Sequence, residues 1–216
     1  MHICKDGWPF IAICTGMALA CGAMGLAFRS VTFGVLASLA FIAAMFCAYF
    51  FRDPPRVIPQ DPKLILSPAD GKIMEIVEGR DGVSPTPVWI LRIFLSVFDP
   101  HIQRSPVAGK VSTIVYKKGK FLDARDPKAA FENEQNRIVI SAAPVGPVVV
   151  TQVAGLIARR ILCWVREGQH LEMGQQIGLI RFGSQVDMVL PRNVQLRVKA
   201  GDRVEAGSSV IGELGA

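Results

Sequence analysis

The chain has 216 residues, a formal net charge of +6, and half of its residues are apolar, with a mean hydropathy of +0.36. That is too hydrophobic for an ordinary soluble domain and predicts a membrane segment. No basic run with interleaved aromatics occurs, which argues against a nucleic-acid partner.

Two uncharged stretches open the chain, "FIAICTGMALACGAMGLAF" (10–28) and "VTFGVLASLAFIAAMFCAYFF" (31–51), separated only by Arg29-Ser30. Each has the length needed to cross a hydrocarbon core of roughly 30 Å. The region is far longer than a signal-peptide core, and nothing polar marks the solvated face of a soluble hairpin. A two-helix membrane hairpin over 1–56 is the reading adopted, with a shallow re-entrant hairpin as its variant. Lys5, Arg52 and Arg56 flank the pair, so both ends face the cytoplasm under the positive-inside bias. Cys4, Cys14, Cys21, Cys47 and Cys163 have no metal-site or disulfide spacing and read as small apolar fillers.

"RDPPRVIPQDP" (52–62) holds four prolines in eleven residues, which stop the second helix and favour an extended spacer. The remainder, 57–216, is one domain's worth of chain with a mild basic excess that suits anionic lipid heads. Its short runs rich in β-branched residues, broken by Gly and Pro, predict a mostly β fold. They are "GKIMEIVEG", "PVWILRIFLSV", "GKVSTIVYKKG", "NRIVISA", "PVVVTQVAG", "CWVREG", "QIGLIRFGSQVDMVLP", "VQLRVKAGD" and "SSVIGEL". Residues 152–165 have some helical character, and 123–134 are read as a short helix or a loop.

Two internal echoes refine the fold. "SPADGKIMEI" (67–76) matches "SPVAGKVSTI" (105–114) at an offset of 38, and "GQHLEMGQQIG" (168–178) matches "GDRVEAGSSVI" (201–211) at an offset of 33. Such turns belong to the style of a barrel-sandwich-hybrid-like β domain built from two similar halves. The echoes also expose an asymmetry. Asp70 stands where the second copy has Ala108, which points either to a task beyond the turn or to plain Asp-Gly turn chemistry.

Of three histidines, His2 is terminal and His170 sits in a polar turn whose echo carries Arg203. His101 follows an apolar run inside "FLSVFDPHIQRSP", in a Pro-flanked turn where reactive groups concentrate. No HExxH, His pair or CxxC calls for zinc, and no Walker or GxGxxG loop for a nucleotide. Ser184 is not in a G-x-S-x-G elbow, and no hairpin tip offers the lysine of a biotinyl or lipoyl carrier. What stands out is "IRFGSQVDMVLP" (180–191), with Gly183-Ser184 inside an apolar strand. A serine after glycine can attack the preceding carbonyl, because glycine permits the required backbone distortion. An N→O acyl shift, elimination and loss of ammonia then leave a pyruvoyl group. That chemistry needs a base, and Asp70 and His101 are the candidates to supply and orient it.

These residues together resemble the short bacterial form of the phosphatidylserine decarboxylase proenzyme. "SPADGK" after a hydrophobic N-terminus, "FLSVFDPHIQRSPVAGKV" and a late Gly-Ser carry the resemblance. It implies cleavage between Gly183 and Ser184 into chains 1–183 and 184–216, which stay associated as a heterodimer, with homo-oligomers possible. It implies a covalent pyruvoyl group from Ser184, no metal, and a Schiff base to phosphatidylserine that yields phosphatidylethanolamine at the inner membrane. By the resemblance, Ser184 becomes the pyruvoyl, Asp70 matches the aspartate of an Asp-His-Ser triad, and His101 matches the first histidine of an HxxH segment. Arg104 replaces the second histidine. Either His101 serves both reactions, or self-cleavage uses Asp70 with a water. Arg104 is a candidate for the substrate phosphate or a plain surface arginine. Phe98, Ile102 and Val107 either rest at lipid head groups or belong to the core. The rival reading is a membrane-anchored, non-enzymatic barrel-sandwich adaptor; a second is a pyruvoyl decarboxylase of a soluble amino acid.

Overall fold

The computed structural model describes residues 2–82, 84, 86–123, 125–126, 128–156, 160–181 and 184–215. The chain divides into two units, 1–55 and 56–216.

In the first unit, α1 (Trp8–Phe28) and α2 (Val31–Phe50) form an antiparallel pair. Pro9 sits in the first turn of α1, where its missing N–H costs nothing. The helix stops at Arg29, which adopts a left-handed φ of 49°, and the amides of Arg29 and Ser30 both return to the Gly25 carbonyl. A side chain at Gly25 would meet the Gly34 backbone at 3.3 Å, so the small residues let the helices approach. At the other end, β1 (His2–Ile3) pairs with β2 (Arg52–Asp53), and Phe51 stacks on Phe10. Both helices are long and apolar enough to cross a membrane, and none of the α1 residues is buried. A helix apolar all round, with no buried face, is built for lipid contact.

The second unit is mostly β. Its strands are β3 (Leu64–Leu66), β4 (Gly71–Gly79), β5 (Val88–Leu95), β6 (Ile102–Arg104), β7 (Gly109–Lys117), β8 (Gln135–Ala142), β9 (Gly146–Val153), β10 (Arg160–Cys163), β11 (His170–Leu171), β12 (Gln176–Arg181), β13 (Ser184–Pro191), β14 (Val194–Leu196), β15 (Arg203–Val204) and β16 (Val210–Leu214). One short helix, α3 (Ala129–Glu132), interrupts them. An eight-stranded antiparallel sheet runs β11-β7-β8-β9-β13-β5-β4-β15, and two three-stranded sheets run β10-β12-β6 and β14-β16-β3. Inward-facing Ile73, Leu91, Ile93, Ile138, Ile140, Val148, Val150, Val186 and Met188 meet Ile65, Ile177 and Ile211 of the smaller sheets in one core.

The echoes are a quasi-twofold repeat of hydrogen bonds. Ser67 Oγ donates to the Ala69 carbonyl and Ser105 Oγ to the Val107 carbonyl, each at 2.7 Å. The copies interlock, since the Leu66 amide bonds the Pro106 carbonyl and the Arg104 amide the Pro68 carbonyl. β11 pairs with the start of β7 as β15 pairs with the start of β4. The order of the large sheet is therefore palindromic about the β9–β13 pair.

Three expectations are corrected. Residues 160–163 form a strand rather than helix, because Ile161 and Leu162 pair with Ile180 and Leu179. The apolar run at 180–191 is two strands in different sheets, β12 and β13, flanking residues 182–183. Cys163 is exposed rather than an apolar filler.

Candidate active site

Ser184 opens β13, between β5 and β9, directly opposite Leu95. Strand alternation gives it the face of Val186, Met188 and Leu190, toward the core. Its Oγ is wholly buried and has no hydrogen-bond partner among the described residues. Such a hydroxyl costs about 1–3 kcal/mol, so an orphan in the middle of a well-paired sheet calls for a purpose. Gly183 lies outside the described residues.

Asp70 reaches the same end of the sheet through β4. Lys72 pairs with Phe94, which pairs with Gln185, so the start of β4 lies level with the start of β13, one strand apart. Gly71 makes this possible: a Cβ there would sit 2.2 Å from the Phe94 carbonyl oxygen. The Asp70 carboxylate is buried. Its Oδ1 accepts from Arg56 Nη2 at 2.5 Å and its Oδ2 from the Ala206 amide at 3.4 Å. Burial pushes its pKa up to about 6, against the pull of the Arg56 guanidinium. Arg56 also pairs with the exposed Glu205 at 2.9 Å.

His101 arrives through the turn after β5. Asp99 shapes that turn by accepting the Ser96 amide on its side chain at 2.9 Å. His101 is fully buried, and its Nδ1 lies 2.8 Å from the Asp99 carbonyl. A carbonyl only accepts, so Nδ1 carries a proton, which in the neutral imidazole leaves the lone pair on Nε2. The His101 carbonyl accepts from the Ile180 amide at 3.3 Å, which ties the turn to the strand that leads to 183–184.

The topology thus gathers the ends of β4, β5, β12 and β13. Among the described residues it shows no direct hydrogen bond joining Asp70, His101 and Ser184: both Asp70 oxygens are engaged by Arg56 and the Ala206 amide, and Ser184 Oγ has no described partner. Arg104 is half-buried, donates from Nη1 to the Gly174 carbonyl at 3.0 Å, and packs its stem beside Gly207. Phe98 is exposed, whereas Ile102 and Val107 belong to the core. Among the described residues, no group of three or more His, Cys, Asp or Glu is placed to hold a metal.

Sequence reasoning missed Arg56, read as a flanking charge of the hairpin, and Asp99, read as part of a motif. It also missed a second buried carboxylate on the opposite face of β13. Asp187 is held by the Gln185 amide, beside Arg92, and burial pushes it up to about 6. Its single signal is an acid inside an apolar run.

A profile of phosphatidylserine decarboxylases matches residues 43–212, from the end of α2 through nearly all of the β unit. The chain belongs to the phosphatidylserine decarboxylase family. More particularly, it is similar to bacterial proteins named phosphatidylserine decarboxylase proenzyme. It is 43% identical over 212 residues to that of Geotalea uraniireducens, covering 98% of this chain and 96% of the relative. Identity to the Burkholderia pseudomallei and Burkholderia vietnamiensis proteins is also 43% over 212 residues, covering 98% of this chain and 95% and 96% of theirs.

Proposed function

We propose that this protein decarboxylates phosphatidylserine to phosphatidylethanolamine, using a pyruvoyl group made from Ser184 when the chain cleaves itself between Gly183 and Ser184. The observation that carries the reading is the buried Ser184 Oγ, without a partner among the described residues, at the start of a central strand. A serine committed to structure would be bonded; one that attacks its own backbone has to be unencumbered.

In this reading His101 Nε2 takes the Ser184 hydroxyl proton, and Oγ adds to the Gly183 carbonyl. The C–N bond breaks as the ester forms, and the amine is protonated. β-Elimination releases the Gly183 carboxylate on chain 1–183 and leaves a dehydroalanyl residue. Tautomerisation and addition of water expel ammonia. The resulting ketone supplies an electrophile for the substrate amine and a sink for the electrons left by carbon dioxide. Asp70, paired with Arg56 and poised near neutrality, sets the charge at this end of the sheet and is the second proton-transfer candidate. Arg104 is offered as a phosphate contact.

Chain 184–216 begins with β13, which pairs along its whole length with β5 and along most of it with β9. That pairing supports fragments that stay together as a heterodimer. The apolar hairpin supports anchoring in the cell membrane, and its flanking basic residues favour a cytoplasmic β domain.

The test is turnover by the purified full-length protein on mixed vesicles containing phosphatidylserine. Release of carbon dioxide with formation of phosphatidylethanolamine, lost in Ser184→Ala, is expected. Inactive wild-type protein, or an active Ser184→Ala, contradicts the proposal.

A further inference from the structure

A chain of buried side-chain amides runs through the core and ends on the main chain of His101. Asn136 Nδ2 on β8 donates to Gln152 Oε1 on β9 at 2.8 Å. Gln152 Nε2 donates to Gln103 Oε1 on β6 at 2.8 Å, and to the Leu162 carbonyl on β10 at 3.4 Å. Gln103 Nε2 then donates to the His101 carbonyl at 2.7 Å. Gln103, Gln152 and His101 are fully buried and Asn136 is 2% exposed. Apolar residues of the same shape would fill this space without the desolvation cost of three amides.

The chain has one direction. Asn136 donates, and Gln152 and Gln103 each accept through oxygen and donate through nitrogen to the next member, so each bond polarises its successor and the last carbonyl receives the sum. Gln152 is fixed by three partners, and its route is cut into the fold. A Cβ at Gly178 would lie 2.6 Å from Gln152 Nε2 and 2.3 Å from the Leu162 carbonyl oxygen, so only glycine leaves the passage open. Gln152 also lies directly opposite Val186, two residues along the same face from Ser184. The chain therefore links the large sheet that carries Ser184 to the small sheet that leads into His101.

We propose that Gln103 and Gln152 are positioning residues for His101. They clamp its carbonyl, together with the Ile180 amide, so that the 99–101 turn keeps the imidazole on the Asp99 carbonyl and Nε2 keeps the basic lone pair. This rests on the reading of His101 as the base for Ser184. A misplacement of about 1 Å costs up to about 10²-fold in rate, which is the scale of effect the clamp prevents.

The test uses the full chain in detergent micelles with 15N-labelled histidine. Only three histidines contribute ring signals, and His101→Asn assigns the one that matters. Wild-type His101 is expected in a single neutral form with the proton on Nδ1. Gln103→Met keeps the volume but cannot donate; it is expected to mix the two tautomers and to slow self-cleavage by about 10–100-fold. If Gln103→Met fails to fold, Gln152→Met carries the same test one link earlier. A folded variant with an unchanged tautomer and an unchanged cleavage rate overturns the proposal. If the wild-type chain is never cleaved, the Ser184 reading fails, and the tautomer comparison still decides whether the amides position His101.

Discussion

The arrangement around Asp70 makes its own predictions at the level of single side chains. The Arg56–Asp70 pair is buried on both sides, with side-chain exposures of 7% and 8%. Breaking a buried pair by removing one partner costs about 3–5 kcal/mol. Arg56→Met is therefore expected to lower the thermal midpoint strongly at pH 7.5. Part of the loss should return near pH 5, because an unpaired Asp70 escapes its penalty by taking up a proton. A loss that does not depend on pH would contradict the assignment. Asp70 and Asp187 both have folded pKa values raised to about 6 from 3.8. Between those values the folded state binds more protons than the unfolded one, so each group adds stability as pH falls from about 6 toward 4. The gain is at most about 3 kcal/mol per group. Unfolding measured from pH 7 to pH 5 should show it, and Asp187→Asn should remove roughly half of the rise.

The elements explain what the sequence could and could not reveal. "GKIMEIVEG" was legible as a strand because its glycines bracket a β-branched run, and β4 spans Gly71–Gly79. The echo of 67–76 in 105–114 was legible because both copies repeat the same turn chemistry, down to the serine that bonds two residues ahead. That the residues up to 181 and those from 184 on serve different sheets was hidden by an alternation of apolar residues that runs through the whole stretch. In the site, Ser184, His101 and Asp70 were picked out by local chemistry. Arg56 and the Gln103–Gln152–Asn136 chain were not, because their partners are set by long-range pairing that no local pattern records. Gly71 shows how tightly the elements meet. Gly71→Ala would press a methyl into the Phe94 carbonyl, whereas Gly82→Ala, at a φ of 75° with open space around it, meets only backbone strain. Strain of that kind costs about 1–3 kcal/mol. Gly71→Ala should therefore lower the thermal midpoint more than Gly82→Ala and impair cleavage. Equal midpoints would contradict the close approach.

For the whole molecule, the hairpin and the β unit divide the work. The two apolar helices are each long enough to cross a membrane, and the β unit carries Ser184 at the start of a strand central to its large sheet. The protein should stay with the membrane fraction through an alkaline carbonate wash; release into the supernatant would contradict the anchoring role. The central claim is that Ser184 turns from a chain residue into a reactive N-terminus. Denaturing mass spectrometry of the purified full-length protein tests it most directly. The account predicts two chains, 1–183 and 184–216, with the small one carrying a terminal ketone and no free α-amine, so that Lys199 is its one amine. A single intact chain of 216 residues, or a small chain that begins with an ordinary free serine amine, would contradict it.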